Sequence, residues 1–290
     1  MKGQHTMLVV EHDMGFVREI AQRITVLHLG RVLAEGGISE NRGEPEGPRS
    51  LSRVKGVVVT LQLSSIDSFY GRSHVLHGLS LTVPAGQVTS VVGRNGTGKT
   101  TLLKTIMALT DHADGRIVLN GEDLSAKPTH LRAAAGIAYV PQGREIIADF
   151  TIRENILMGC FARRDGKRVL PDFIGELFPY LTENLDRPGG LLSGGQQQQL
   201  AIARALAADP KVLLLDEPNE GIQPSIVEDI ERIIVRLNRE MGLTVVLVEQ
   251  NIEFVRFASH GFAMLEKGQI VASGPISTLT DTLVHEHMAV

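Results

Sequence analysis

The chain has 290 residues, 43% of them hydrophobic, and a formal charge of −4 at pH 7, which allows one large domain or two small ones with a sizeable core and lacks the basic excess of a nucleic-acid binder. Its single cysteine, Cys160, excludes an internal disulfide framework and suits a reducing compartment. Apolar runs such as residues 243–248 fall far short of the roughly 18 residues that a membrane helix needs, and the first residues lack the apolar core of a signal peptide, so a cytosolic chain is expected, with any membrane role running through a partner.

Residues 1–37 read as structured. Met7-Leu8-Val9-Val10 has the pattern of a strand, residues 16–21 of a helix, and residues 24–29 of a second strand. Residues 38–55 begin polar and rich in glycine and proline, and are expected to be a flexible linker. A second unit is expected over residues 56–290. An internal repeat joins the two, because residues 9–36 align without gaps on residues 247–274. Val10-Glu11 matches Val248-Glu249, Phe16-Val17-Arg18 matches Phe254-Val255-Arg256, and Leu27, Gly30, Ala34 and Gly36 match Leu265, Gly268, Ala272 and Gly274.

In the second unit, residues 57–63 and 79–83 alternate apolar and polar, as antiparallel edge strands do. Residues 88–92, 137–140, 212–215 and 244–248 are apolar throughout, which is how strands buried on both faces read. Helical patterns lie between them, so a mostly parallel α/β sheet is expected. Residues 150–190 carry no strand pattern. Residues 152–160 and 173–185 read as helices of an inserted helical subdomain, placed at about 146–205.

Gly93-Arg94-Asn95-Gly96-Thr97-Gly98-Lys99-Thr100-Thr101 follows the strand 88–92 and opens a helix. It fits the phosphate-binding P-loop, in which glycines let successive backbone N–H groups point at a phosphate and a helix N-terminus adds positive dipole. Lys99 can reach the β- and γ-phosphates, and the Thr100 hydroxyl can ligate Mg²⁺. The apolar run 212–215 ends in Asp216-Glu217. An acid at the carboxyl end of such a strand lies beside the P-loop. Asp216 can hold Mg²⁺ and Glu217 can take a proton from an attacking water as general base. No Asn-Lys-x-Asp guanine motif is present, which favours ATP over GTP.

With Leu192-Ser193-Gly194-Gly195-Gln196 the chain resembles the ATP-binding-cassette (ABC) ATPases over roughly residues 56–275. The resemblance implies the P-loop NTPase fold of that family, a mixed, mostly parallel sheet with an antiparallel edge subdomain and a helical subdomain. It implies that Ser193, Gly194, Gly195 and Gln196 form a second phosphate cradle, offered head to tail to the ATP of a partner ATPase. It makes Gln142 the Q-loop glutamine, touching Mg²⁺ and water, and Tyr70 the aromatic that stacks on adenine, although a tyrosine before Gly71 fits a packing role equally. Residues 219–224 take the place of the loop that crosses the dimer interface, with Gln223 where the family usually has Asp. Gln250 stands where many members carry a switch histidine, which points to hydrolysis that is slow or depends on a partner.

Local wording is similar to the urea-transporter ATP-binding subunit, through residues 192–204, 220–225, Gly143-Arg144-Glu145-Ile146 and Glu249-Gln250. ATPases of branched-chain amino-acid importers share Gly143-Arg144 and Glu249-Gln250, and residues 1–37 resemble the tail of the companion ATPase of the same transporter, a partial cassette without a P-loop that is expected to be a fusion remnant or an over-long start, loosely held or disordered. The resemblance implies ATP and Mg²⁺ as cofactors and a peripheral place on the inner face of the cell membrane. It also implies a second ATPase as heterodimer partner (a homodimer being the alternative), two membrane permeases docked on residues 143–190 and an external binding protein, with no nucleic acid. A branched-chain amino-acid importer, a gating subunit that does not hydrolyse, and a non-transport ABC ATPase remain as other readings.

Overall fold

The computed structural model describes residues 61–288, with backbone alone at Pro224 and Ser225, and the backbone of Arg23–His28 and Arg31–Gly37. The chain divides into two units, residues 1–56 and 57–290. In the first, β1 (Arg23–His28) and β2 (Arg31–Gly37) form an antiparallel hairpin with a bulge between Val26 and Leu27. The strand expected over 24–29 is thus β1. The expected strand 7–10, helix 16–21 and linker 38–55 lie outside the described residues.

The second unit opens with an antiparallel pair, β3 (Leu61–Tyr70) and β4 (Ser73–Val83), joined by a tight turn at Gly71-Arg72. Its alternation puts Leu61, Leu63, Leu79, Leu81 and Val83 in the core. Next come β5 (Val88–Val92) and α1 (Lys99–Ile106), then β6 (His112–Leu119) and β7 (Glu122–Asp123), which complete a four-stranded sheet in the order β4-β3-β6-β7. The apolar pattern did not announce β6, since its first five residues are exposed and three of them, His112, Asp114 and Arg116, are polar.

After α2 (Thr129–Ala135) and β8 (Ile137–Val140) the chain enters the helical insertion, with α3 (Ile152–Gly159), α4 (Phe173–Leu177), α5 (Pro179–Glu183) and α6 (Gly194–Leu206). The helix expected over 173–185 is broken in two, because Phe178 takes φ −135° and ψ 66° and Pro179 opens a new helix. Proline has no N–H to continue the first helix and clashes with its preceding turn. Thr151 and Glu154 form a capping box that starts α3.

The remaining elements are β9 (Val212–Asp216), α7 (Pro224–Arg239), β10 (Thr244–Glu249), α8 (Ile252–Ala258), β11 (Gly261–Glu266), β12 (Gln269–Pro275) and α9 (Asp281–Met288). The second sheet runs β12-β11-β5-β10-β9-β8 and is parallel except for β12. Strands β5, β9 and β10 are buried along their whole length. Alternate residues feed two cores: Leu213, Leu215 and Leu247 pack with Ile156, Leu200 and Ile202 of the helical layer, while Leu214, Val246 and Val248 pack with Leu102, Leu103 and Leu61 beneath the antiparallel sheet. This layering, helices on one side and α1 with the edge sheet on the other, fixes the carboxyl ends of β5, β9 and β10 side by side.

The repeat has a structural counterpart. The strands β11 and β12 have the bounds of β1 and β2 displaced by 238 residues, the same antiparallel register, and the same bulge, between Met264 and Leu265 instead of Val26 and Leu27. Among the described residues no helix is long and apolar enough to cross a membrane.

Candidate active site

The P-loop joins β5 to α1, and two of its glycines are dictated by their surroundings. A Cβ on Gly93 would lie 2.4 Å from the Leu265 carbonyl oxygen of β11. Gly98 caps α1 at φ 108°, a backbone region that L side chains rarely adopt. The resulting turn folds back on Lys99, whose Nζ donates to the carbonyl oxygens of Gly93 (2.8 Å) and Arg94 (3.0 Å). Lys99 is 4% exposed, so its ammonium stays where the turn aims it.

Three strand ends bring the partners. At the end of β9, Glu217 Oε1 lies 3.3 Å from Lys99 Nζ. Glu217 has φ 44°, unusual for a residue with a side chain, and its N–H donates to the Val248 carbonyl of β10. From the end of β10, the Gln250 amide donates both to Glu217 Oε1 (2.8 Å) and to Asn95 Oδ1 in the P-loop (2.7 Å). One residue before Glu217, Asp216 is 1% exposed. It accepts from the Thr100 hydroxyl on Oδ1 (3.0 Å) and from the Tyr139 hydroxyl on Oδ2 (3.1 Å). Burial pushes the Asp216 carboxyl above its ordinary range, against the pull of those two hydroxyls. Burial, and then the charge of Asp216, push the Tyr139 phenol up as well, which keeps it a donor.

The Thr100 hydroxyl and the Asp216 carboxylate meet at one point, and both are hard oxygen donors of the kind Mg²⁺ takes alongside phosphate and water. The residues present therefore fit that ion. Glu217 beside them is placed to accept a proton.

The structure thus gathers Gly93, Asn95, Gly96, Gly98, Lys99, Thr100, Thr101, Asp216, Glu217 and Gln250 at the ends of β5, β9 and β10. Tyr70 ends β3 and is exposed. Gln142 follows β8 and donates to Glu220 Oε2 at 2.6 Å. Ser193 to Gln196 lie apart, and among the described residues no hydrogen bond links them to the P-loop. Ser193 caps α6 through a reciprocal capping box with Gln196, leaving its exposed side chain and the helix N-terminus at the surface.

Sequence reasoning missed two residues here. Tyr139 gave one signal, a lone hydroxyl in the otherwise apolar strand β8, paired in register with Leu214 of β9. Glu249 is 5% exposed and accepts from the backbone N–H groups of Gln250 and Asn251 (2.9 and 3.2 Å), so it shapes the turn that delivers Gln250.

Comparison with known proteins agrees with this geometry. A family profile described as "ABC transporter" matches residues 76–220. The chain is 41% identical to the high-affinity branched-chain amino acid transport ATP-binding protein BraG of Pseudomonas aeruginosa, over 73% of this chain and 91% of that one. It is 34% identical to the probable branched-chain amino acid transport ATP-binding protein LivF of Archaeoglobus fulgidus, over 78% and 95%. It is also 36% identical to the lipopolysaccharide export system ATP-binding protein LptB of Haemophilus influenzae, over 77% and 94%. Among solved structures, the ADP conformation of the ATP-binding cassette MJ1267 superposes with a TM-score of 0.66 at 29% identity, covering 79% of this chain and 97% of that one. The dimeric post-hydrolysis state of the cassette MJ0796 bound to ADP and Pi gives 0.66 at 26% identity, covering 74% and 98%.

Proposed function

The chain belongs to the ABC transporter family and is an ATPase, and from that premise we propose that it powers a membrane importer, with urea as the imported solute. The observation that carries the ATPase reading is the convergence of Lys99, Thr100, Asp216, Glu217 and Gln250 at three strand ends. The oxygens of a triphosphate compete with Glu217 and with the Gly93 and Arg94 carbonyls for the Lys99 ammonium. Thr100 and Asp216 would hold Mg²⁺, which would supply charge neutralisation at the phosphates, and Tyr139 fixes the second carboxylate oxygen of Asp216. Once Lys99 turns to phosphate, Glu217 is released from its ion pair and can take the proton of an attacking water. Gln250 keeps its carboxylate oriented from the other side.

Ser193, exposed at the α6 N-terminus, with Gly194 half-buried beside it, suits the head-to-tail dimer in which the signature loop meets the γ-phosphate held by a partner ATPase. The dimeric form of MJ0796 supports such an assembly. In the helical subdomain Phe150, Met158, Phe161, Val169 and Leu191 are exposed, Phe161 at 66%, which supports docking of a permease on residues 143–190 from the cytoplasmic side. Urea rests on the wording of residues 197–199 and 220–225. The similarity to BraG and LivF favours a second reading, branched-chain amino-acid import. The match of the β1–β2 hairpin to β11–β12 in bounds, register and bulge supports residues 1–37 as the tail of a companion ATPase, joined through residues 38–55 to a cassette at 56–290. ATPase activity in membranes that hold the chain with its permeases tests the assignment: stimulation by urea with its binding protein is expected, and stimulation by leucine alone would transfer it to the second reading.

A further inference from the structure

The turn that follows Gln142 is under strain. Gly143, Arg144 and Glu145 have φ of 81°, 73° and 45° in succession. The Glu145 N–H donates to the Gly143 carbonyl at 2.8 Å. A bond spanning two residues with positive φ at the centre is the rare, strained form of γ-turn, here with a long side chain at its apex. Such a conformation persists only where its surroundings over-determine it.

The surroundings do so at Arg144. Its N–H donates to the Pro141 carbonyl (3.1 Å), and its carbonyl accepts from Arg204 of α6 (3.2 Å). Its guanidinium Nη2 donates to the carbonyls of Glu220 (3.3 Å) and Gly221 (3.1 Å), in the loop after Glu217. The same guanidinium lies beside Gly194, where a Cβ would come within 3.2 Å of Nη1. Gln142 adds its bond to the Glu220 carboxylate. One side chain therefore touches three loops: the turn after Gln142, the Ser193-Gly194-Gly195 loop and loop 217–223.

We propose that Arg144 is a positioning residue, a latch that holds the signature loop and loop 217–223 in fixed register with the strained turn. Those two loops flank the general base and the cradle offered to a partner, so the latch sets how they are presented together. Its consequence for turnover rests on the head-to-tail reading above; the latch itself lies within one chain. Arginine suits the place because a planar, delocalised guanidinium can pack beside Gly194 while its Nη2 reaches two carbonyls; a lysine ammonium could make the hydrogen bonds but not the planar packing.

Hydrogen–deuterium exchange on the full chain tests this, comparing wild type, Arg144→Ala and Arg144→Lys. Loss of one or two hydrogen bonds in Arg144→Ala is expected to speed exchange about tenfold in peptides covering 193–197 and 217–223. Peptides covering 93–101 should be unchanged, and Arg144→Lys should recover only part of the protection. Exchange within about twofold of wild type in both loops overturns the latch. A uniform rise across the chain in Arg144→Ala, together with wild-type protection in Arg144→Lys, overturns it too, since any cation would then suffice. Binding of fluorescent ADP to the wild-type chain is measured alongside: its absence would sink the ATPase reading while leaving the exchange result interpretable.

Discussion

Replacing Gln250 by alanine removes the amide that serves both Glu217 and Asn95. A net hydrogen bond is worth ~1 kcal/mol, and with Lys99 turned to phosphate the Gln250 amide is what still orients the base, so Glu217 loses about 1–2 kcal/mol of orientation, a factor of about 5–30. Removing the carboxylate itself, in Glu217→Gln, takes away general-base catalysis worth about 10²–10⁴. Phosphate release at saturating Mg-ATP separates the two. Gln250→Ala should lower kcat about tenfold with KM for ATP nearly unchanged, and the double variant should be no slower than Glu217→Gln, because Gln250 acts through Glu217. A multiplicative loss in the double variant, or a single-variant loss as deep as that of Glu217→Gln, would refute this reasoning. Gln250→His is expected to change the rate, since an imidazole places its donors differently; an unchanged rate would deny the position a special role.

Three more outcomes follow from the same geometry. Asp216→Asn should abolish hydrolysis yet raise the melting temperature at neutral pH, because it removes a buried carboxylate whose charge burial disfavours. The sign follows from burial: the folded pKa is raised above the ordinary 3.8, so the penalty is absent below that value, grows as pH rises through the folded pKa and is complete above it. The gap between variant and wild type should therefore close on acidification, and a variant that melts lower at pH 7 contradicts the account. Tyr139→Phe leaves one Asp216 oxygen without its donor and should raise the Mg²⁺ concentration for half-maximal ATPase about fivefold; an unchanged Mg²⁺ titration would dismiss it. Gly159→Ala puts a Cβ 1.8 Å from the Arg204 carbonyl where α3 meets α6, and should cost about 1–3 kcal/mol of stability, read as a drop in thermal midpoint.

Much of this was legible in the residues. Strands buried on both faces announce themselves as unbroken apolar runs, and β5, β9 and β10 fall within a residue or so of where those runs lie. The P-loop and Asp216-Glu217 could be read because phosphate and metal chemistry demand particular residues at particular spacings. The strand β6 could not, because its first five residues stay exposed and only its last three show an apolar, buried pattern. The break at Pro179 was visible in principle, yet the helical pattern on both sides masked it. Tyr139 and Arg144 act through contacts far along the chain, 77 and 76 residues away, and no local pattern encodes such a pairing. Arg144 in particular sits in a turn whose strain appears only in its dihedral angles.

The central claim is that this site spends ATP to move a solute through partners. Uptake of labelled urea and labelled leucine in cells carrying wild type or Glu217→Gln tests it most directly. The account predicts that urea uptake collapses in Glu217→Gln while leucine uptake persists. Collapse of leucine uptake alone would give the chain to an amino-acid importer, and unchanged uptake of both would contradict the claim that hydrolysis at Glu217 drives transport of either.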